Sequence, residues 1–187
     1  AAATARRATG GGGACPATTT SERRPPEPMP AQRPRGTQTS VVLSSLMMPA
    51  DANFMGNIHG GVIMKLIDEA AGTCAFQFCR TRVVTAAIDR IDFLHPVQIG
   101  DLVTLKANMN FTGTKSMEVG VRVEAEDLTT GVVTHCASAY VVFVALGDDG
   151  VPISVPSLTP RTAQQTKWFD AAERRREKRL AERAHAD

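Results

Sequence analysis

Between residues 40 and 146 the hydrophobic rhythm of the chain changes twice. Ser40–Met48 (SVVLSSLMM) reads as a first strand. The following PADANFMGN is a loop of turn formers, with Pro49, Asp51, Asn53, Gly56 and Asn57. From His59 to about Cys79 the spacing is helical. Val62, Ile63, Met64, Leu66, Ile67, Ala70, Ala71, Cys74, Ala75, Phe76 and Phe78 cover nearly the whole circumference, so this helix is buried on most sides. Lys65 and Glu69, four residues apart, mark its solvated edge. Four strands follow. Val83–Leu94 is the first of them. Asp101–Phe111 alternates Val103, Leu105, Ala107, Met109 and Phe111 on the core face with Thr104, Lys106, Asn108 and Asn110 on the other. Ser116–Glu126 turns Met117, Val119, Val121, Val123 and Ala125 inward, and Val132–Leu146 is apolar on both faces after Ala137. Turn signals at Pro96 and Gly100, in TGTKS and in TTG make the links short, which implies antiparallel pairing.

A strand, a long buried helix and four long strands predict an α+β domain: one antiparallel sheet wrapped around one central helix. The apolar circumference of that helix calls for a second cover, and a dimer partner is the natural one. After Pro160, helix formers dominate and the Arg174–Arg176 cluster has acidic neighbours. This predicts a solvated or partner-packing terminal helix, its start pinned by Trp168 and Phe169.

Charge divides the chain in the same places. Residues 1–36 carry net +4, residues 37–160 net −5 and residues 161–187 net +3, which together give the chain's +2. The expected organisation is a disordered N-terminal tail (1–36), one domain (37–160) and a basic helical tail (161–187). An acidic domain argues against nucleic acid as a partner. No apolar run reaches the roughly 20 residues that span a bilayer. The first 36 residues have no secretory hydrophobic core. A cytoplasmic location is expected, although the Arg-rich, acid-poor start also fits an organelle transit peptide. Cys15, Cys74, Cys79 and Cys136 form no CxxC pair. Buried free thiols are expected, with no metal and no cofactor.

One residue resists the core reading. Asp68 lies within the apolar helix, and most of its neighbours on that face are small or apolar: Gly61, Met64, Ala71, Gly72 and Ala75, with Lys65 as the exception. A carboxylate there is costly unless paired or used. It either bonds Lys65 or a neighbouring strand, or it acts chemically. At the helix start, Asn57 is a candidate cap, with His59, Gly60 and Gly61 in the first turn. Free N–H groups and the helix dipole favour negative charge there, as in an oxyanion hole. Alternatively, the glycines only allow tight packing. There is no GxSxG, HExxH or P-loop motif.

The stretch N-x-H-G-G-x-x-x-x-x-x-D-E-A-A, continued through VTAAIDRIDFLHPVQIGDLVTLKANMNFTGTKSMEVGVRVEAED to PSLTP, resembles the acyl-CoA hydrolases of the hotdog fold. The resemblance implies a five-stranded antiparallel sheet around a long helix and a homodimer, with further assembly as a trimer of dimers. It also implies sites between subunits, each taking Asn57 from one chain and Asp68 from the other. Asp68 would be general base or nucleophile. Asn57 would orient water or the thioester carbonyl, Gly61 with Gly60 would hold the oxyanion, and His59 would assist or be structural. Coenzyme A is expected at Thr114, Lys115 and Ser116, with Arg90 as a further cation. Met64, Phe76 and Phe78 are expected along the acyl tunnel. The competing function is a non-catalytic acyl-CoA-binding regulatory protein.

Overall fold

The structure is a computed structural model describing residues 33–184. The N-terminal tail lies largely outside the described residues. The elements in chain order are β1 (Ser40–Leu46), α1 (Gly60–Cys79), β2 (Arg82–Phe93), β3 (Leu102–Thr112), β4 (Ser116–Asp127), β5 (Val132–Leu146) and α2 (Ala163–Ala184), with a 3-10 turn at Pro49–Asp51. The strands form one antiparallel sheet in the order β1-β3-β4-β5-β2. This is the hotdog arrangement.

α1 fills the concave face. Ile67, Ala70, Ala71, Cys74, Ala75, Phe78 and Cys79 are fully buried against the inward residues of β3, β4 and β5. Burying a side chain such as Ile67 or Phe78 contributes about 2 kcal/mol. Small residues on this face let the helix sit deep in the sheet. It ends at Arg80, held at φ 52, whose N–H donates to the Phe76 carbonyl at 2.8 Å. The Lys65–Glu69 pair lies on the solvated edge, 3.5 Å apart. Met64 and Phe76 remain exposed in the single chain.

The inward set predicted for β4 is buried as expected. β3 departs from its alternation. Its register to β4 shifts between Met109 and Phe111, so Asn110 is an extra residue and Phe111 stands opposite Glu118. The bulge turns Phe111 to the outer face, against the expectation that it faces the core. There its ring meets Phe169 at 4.9 Å.

α2 lies on that outer face of its own sheet. Ala172 is its buried apolar residue. Glu118, 1 % exposed, accepts bonds from Arg175 at 2.6 Å and Arg179 at 3.3 Å. The Arg175 guanidinium lies 3.7 Å from the Tyr140 ring centroid. The Asn110 amide also reaches Glu118, at 3.4 Å, by crossing the space over Gly120. A Cβ on Gly120 would stand 2.5 Å from that amide nitrogen. Phe169 pins the start of α2, while Trp168 remains about one-third exposed.

Candidate active site

The start of α1 is capped by His59, and not by Asn57. His59 Nδ1 accepts the Gly61 N–H at 2.9 Å. This requires the unprotonated nitrogen at Nδ1 and puts the ring proton on Nε2. Gly61 leaves room for the fold-back, since a Cβ there would stand 3.0 Å from Nδ1 and push the ring by a few tenths of an ångström. The Gly61 donor is therefore taken, contrary to its expected openness to an oxyanion. Gly60 N–H has no acceptor among the described residues. It is the open donor at the positive end of the helix.

The loop before the cap is ordered by its own backbone. Asn53 N–H donates to the Asn57 carbonyl at 2.7 Å, and Asn53 Oδ1 accepts from Met55 N–H at 2.8 Å. That turn fixes the Asn53 side chain and leaves its amide N–H groups without an acceptor among the described residues. Asn57 bridges Gln98, and Ile58 N–H donates to the Val97 carbonyl at 2.9 Å. Gly60 lies beside Phe93, with Ile58, Ile63, Leu94, His95 and Val97 around a cavity of about 280 Å³.

Asp68 is half-buried on α1. Lys65 is engaged by Glu69, and Asp68 Oδ1 instead accepts the Thr85 hydroxyl of β2 at 2.7 Å. The strand contact among the sequence alternatives is thus present. It orients one carboxylate oxygen. Thr85 was not singled out by the sequence, because its role depends on β2 register. It stands opposite Phe143 of β5, on the α1 side of the sheet.

The expected coenzyme A residues divide. Thr114 and Lys115 are exposed in the β3–β4 turn, and Ser116 is half-buried. The turn is braced through its carbonyls: Thr114 accepts from Val155 at 3.0 Å and Lys115 from Ala145 at 3.2 Å. Ladder register puts Met117 opposite Phe143, which is opposite Thr85. The turn therefore lies at the level of Thr85, two strand spacings or about 10 Å away. Arg90 stands opposite Tyr140 on the outer face, its Nε 2.6 Å from Asp92, so it does not converge with Asp68 within one chain. Arg176 of α2, which the sequence offers only as part of the Arg174–Arg176 cluster, also approaches this turn. It lies over Phe111 at 5.8 Å and against Gly113, in the turn that carries Lys115.

Phe78 is fully buried core, so it cannot line a tunnel as expected, whereas Met64 and Phe76 are accessible. Cys74, Cys79 and Cys136 are buried free thiols; Cys15 lies outside the described residues. Burial pushes the Cys74 thiol up to about 12 and Cys79 to about 11. Neither is a nucleophile near neutral pH. No helix among the described residues is long and apolar enough to cross a membrane.

Residues 55–132 match the thioesterase superfamily. The chain is 36% identical over 149 residues to the uncharacterized acyl-CoA thioester hydrolase YkhA of Bacillus subtilis, covering 80% of this chain and 87% of that protein. An apo-hexameric acyl-CoA thioesterase superposes with a TM-score of 0.77 at 33% identity, covering 82% of this chain and 99% of that one. The acyl-CoA hydrolase of Staphylococcus aureus, solved with butyryl coenzyme A and coenzyme A, superposes at 0.75 with 33% identity, over 82% and 93%. That enzyme has also been solved with alanine replacing an aspartate, an asparagine fifteen residues before it, and a threonine seventeen residues after it. Identity at this level over most of both chains, on the same fold, shows that the chain belongs to the acyl-CoA thioester hydrolases of the thioesterase superfamily.

Proposed function

We propose that the chain hydrolyses acyl-CoA to a carboxylic acid and coenzyme A at sites shared between two copies of itself. One observation carries the shared site. The open Gly60 donor and Asp68 are eight residues apart on one helix, which is about 12 Å along its axis. They cannot act on one thioester carbonyl within a single chain. A second copy brings its own helix start to Asp68. The apolar residues left exposed on α1 and on the edge strand β2, among them Met64, Phe76, Val84, Ile88 and Phe93, suit that partner. Further assembly into a trimer of dimers accords with the hexameric relative.

In this reading Asp68 is the carboxylate. As general base it takes a proton from water while the water oxygen bonds to the carbonyl carbon. As nucleophile it forms a mixed anhydride that water then opens. In both routes the C–S bond breaks and the coenzyme A thiolate leaves. Gly60 N–H stabilises the developing oxyanion, and the helix dipole adds to it. His59 holds the first turn as its cap, and Gly61 makes room for that ring. Thr85 orients Asp68.

The asparagine we place at Asn53 in preference to Asn57. Counting from Asp68, the separations of the three S. aureus substitutions fall on Asn53 and Thr85. Asn53 also holds its side chain in a local turn with the amide donors free. Asn57 shapes the loop through its carbonyl. Lys115, Thr114 and Ser116, joined by Arg176, form the anionic coenzyme subsite; Arg90 could serve only from the other face.

The test is thiol release from short to long acyl-CoAs by wild type and Asp68→Asn. Hydrolysis by the wild type and a loss of about a thousandfold in the variant is expected. Equal rates would remove Asp68 from the mechanism. A folded wild type that binds acyl-CoA without turnover would establish the regulatory reading instead. Mixing Asp68→Asn chains with Asn53→Ala chains tests sharing directly. One site of each mixed dimer is then intact, so activity returns to about a quarter of wild type. No return with Asn53→Ala, but return with Asn57→Ala, would restore Asn57 as the partner group.

A further inference from the structure

Thr85 and Asp89 stand on opposite sides of one irregular stretch of β2. Its register to β5 runs Thr85 to Phe143, Ala87 to Val142, Ile88 to Val141 and Arg90 to Tyr140. Ala86 and Asp89 are therefore extra residues, each leaving the ladder locally unpaired. Between the two bulges the side chains change faces. Ile88 and Ile91 both stand opposite inward residues of β5, and Asp89 reaches outward. β2 is also an edge of the five-stranded sheet. Within one chain, backbone pairing to β5 is interrupted twice along this stretch.

Side chains hold it from both faces. On the inner face the Thr85 hydroxyl donates to Asp68 at 2.7 Å. On the outer face Arg179 of α2 donates to Asp89 at 2.7 Å and to Glu118 of β4 at 3.3 Å. Arg179 thereby spans β5 and ties the bulged edge to the middle of the sheet. Both Arg179 and Asp89 are largely buried, with side-chain exposures of 16% and 19%. A pair so enclosed is little screened and directional.

From this geometry we infer that Arg179 is a positioning residue for hydrolysis: by anchoring Asp89 it sets the β2 bulge that places Thr85, and through Thr85 it orients Asp68. The inference rests on Asp68 being the catalytic carboxylate. It gives the C-terminal helix a part in the reaction without any contact with substrate. The guanidinium acts four residues and one face away from the hydroxyl it positions.

The experiment is a double-mutant cycle in the full-length, assembled enzyme, with kcat and KM for one good acyl-CoA substrate. Arg179→Met and Asp89→Asn are each expected to lower kcat by about tenfold at little change in KM, since sub-ångström misplacement of a catalytic group is enough for that. Arg179→Lys, which keeps a charge within reach of Asp89, recovers part of the loss. In a Thr85→Val background, Arg179→Met lowers kcat no further, because the residue it acts through is gone. Asp89→Asn leaves Glu118 with both arginines, so it separates the effect from loss of α2. Additive losses would overturn the inference and mark Arg179 as a stability element. So would a loss confined to KM. Wild-type kcat in Thr85→Val would also overturn it. The role of Asp68 is judged separately, by Asp68→Asn alone.

Discussion

The two helices lie on opposite faces of the same sheet and are held by different physics. α1 buries Ile67, Ala70, Ala71, Cys74, Ala75 and Phe78 completely, and its ion pair is the exposed one with Glu69. α2 buries Ala172 and relies on Phe169 with Arg175 and Arg179 around Glu118. Apolar burial is non-directional and additive over area. It lets α1 carry a half-buried carboxylate, Asp68, and the open Gly60 donor, because the buried apolar face is what mainly holds the helix. The ion pairs of α2 are directional. They fix which residue meets which, and each is costly to break singly.

The largest stability effect is expected where burial alone is removed. Phe78→Ala takes a fully buried ring from beneath α1 and should cost about 4 kcal/mol, read as a lower urea midpoint at unchanged slope. A cost below about 1 kcal/mol would mean that α1 is held by something other than its buried face.

On the α2 side, Arg175→Met leaves Glu118, 1 % exposed, with Arg179 and Asn110 as its partners. About 3 kcal/mol of destabilisation is expected. The chain's single tryptophan, Trp168, reports it, since its fluorescence follows the docking of α2. Adding Glu118→Leu should recover most of the loss, because the buried carboxylate that has lost its shortest ion pair is then gone. Phe78→Ala has no such second-site rescue. If the double variant is as unstable as the single, the ion-pair account of α2 fails.

The same contrast explains what could be read from the sequence. The order of elements, the central helix and the inward set of β4 follow from hydrophobic period, which any window of the chain carries. Asp68 was legible as a charge on an apolar helix. Three features were not. The bulge at Asn110 inserts one residue without altering composition, so simple alternation puts Phe111 on the wrong face. The His59 cap competes with Asn57 for the same position, and only the backbone decides between them. Thr85 and Asp89 owe their partners to two further bulges in β2, and the arginines of α2 are about sixty to ninety residues from the acids they meet. Pairing at that separation depends on register.

The smallest effect is also the most diagnostic. Each helix carries an exposed i,i+4 pair, Lys65–Glu69 at 3.5 Å on α1 and Lys178–Glu182 at 3.7 Å on α2. The side chains are more than half exposed in nearly every case, so solvent screens the charges and side-chain entropy offsets the gain. Lys65→Ala and Lys178→Ala should each change stability by no more than about 0.5 kcal/mol, and by the same amount within error. Melting both variants at low and high salt checks this. If Lys178→Ala approached the cost of Arg175→Met, charge on α2 would matter wherever it sat. Equal, small effects on the two helices would place the difference between them where the side chains are buried: apolar surface beneath α1, and Glu118 with its arginines beneath α2.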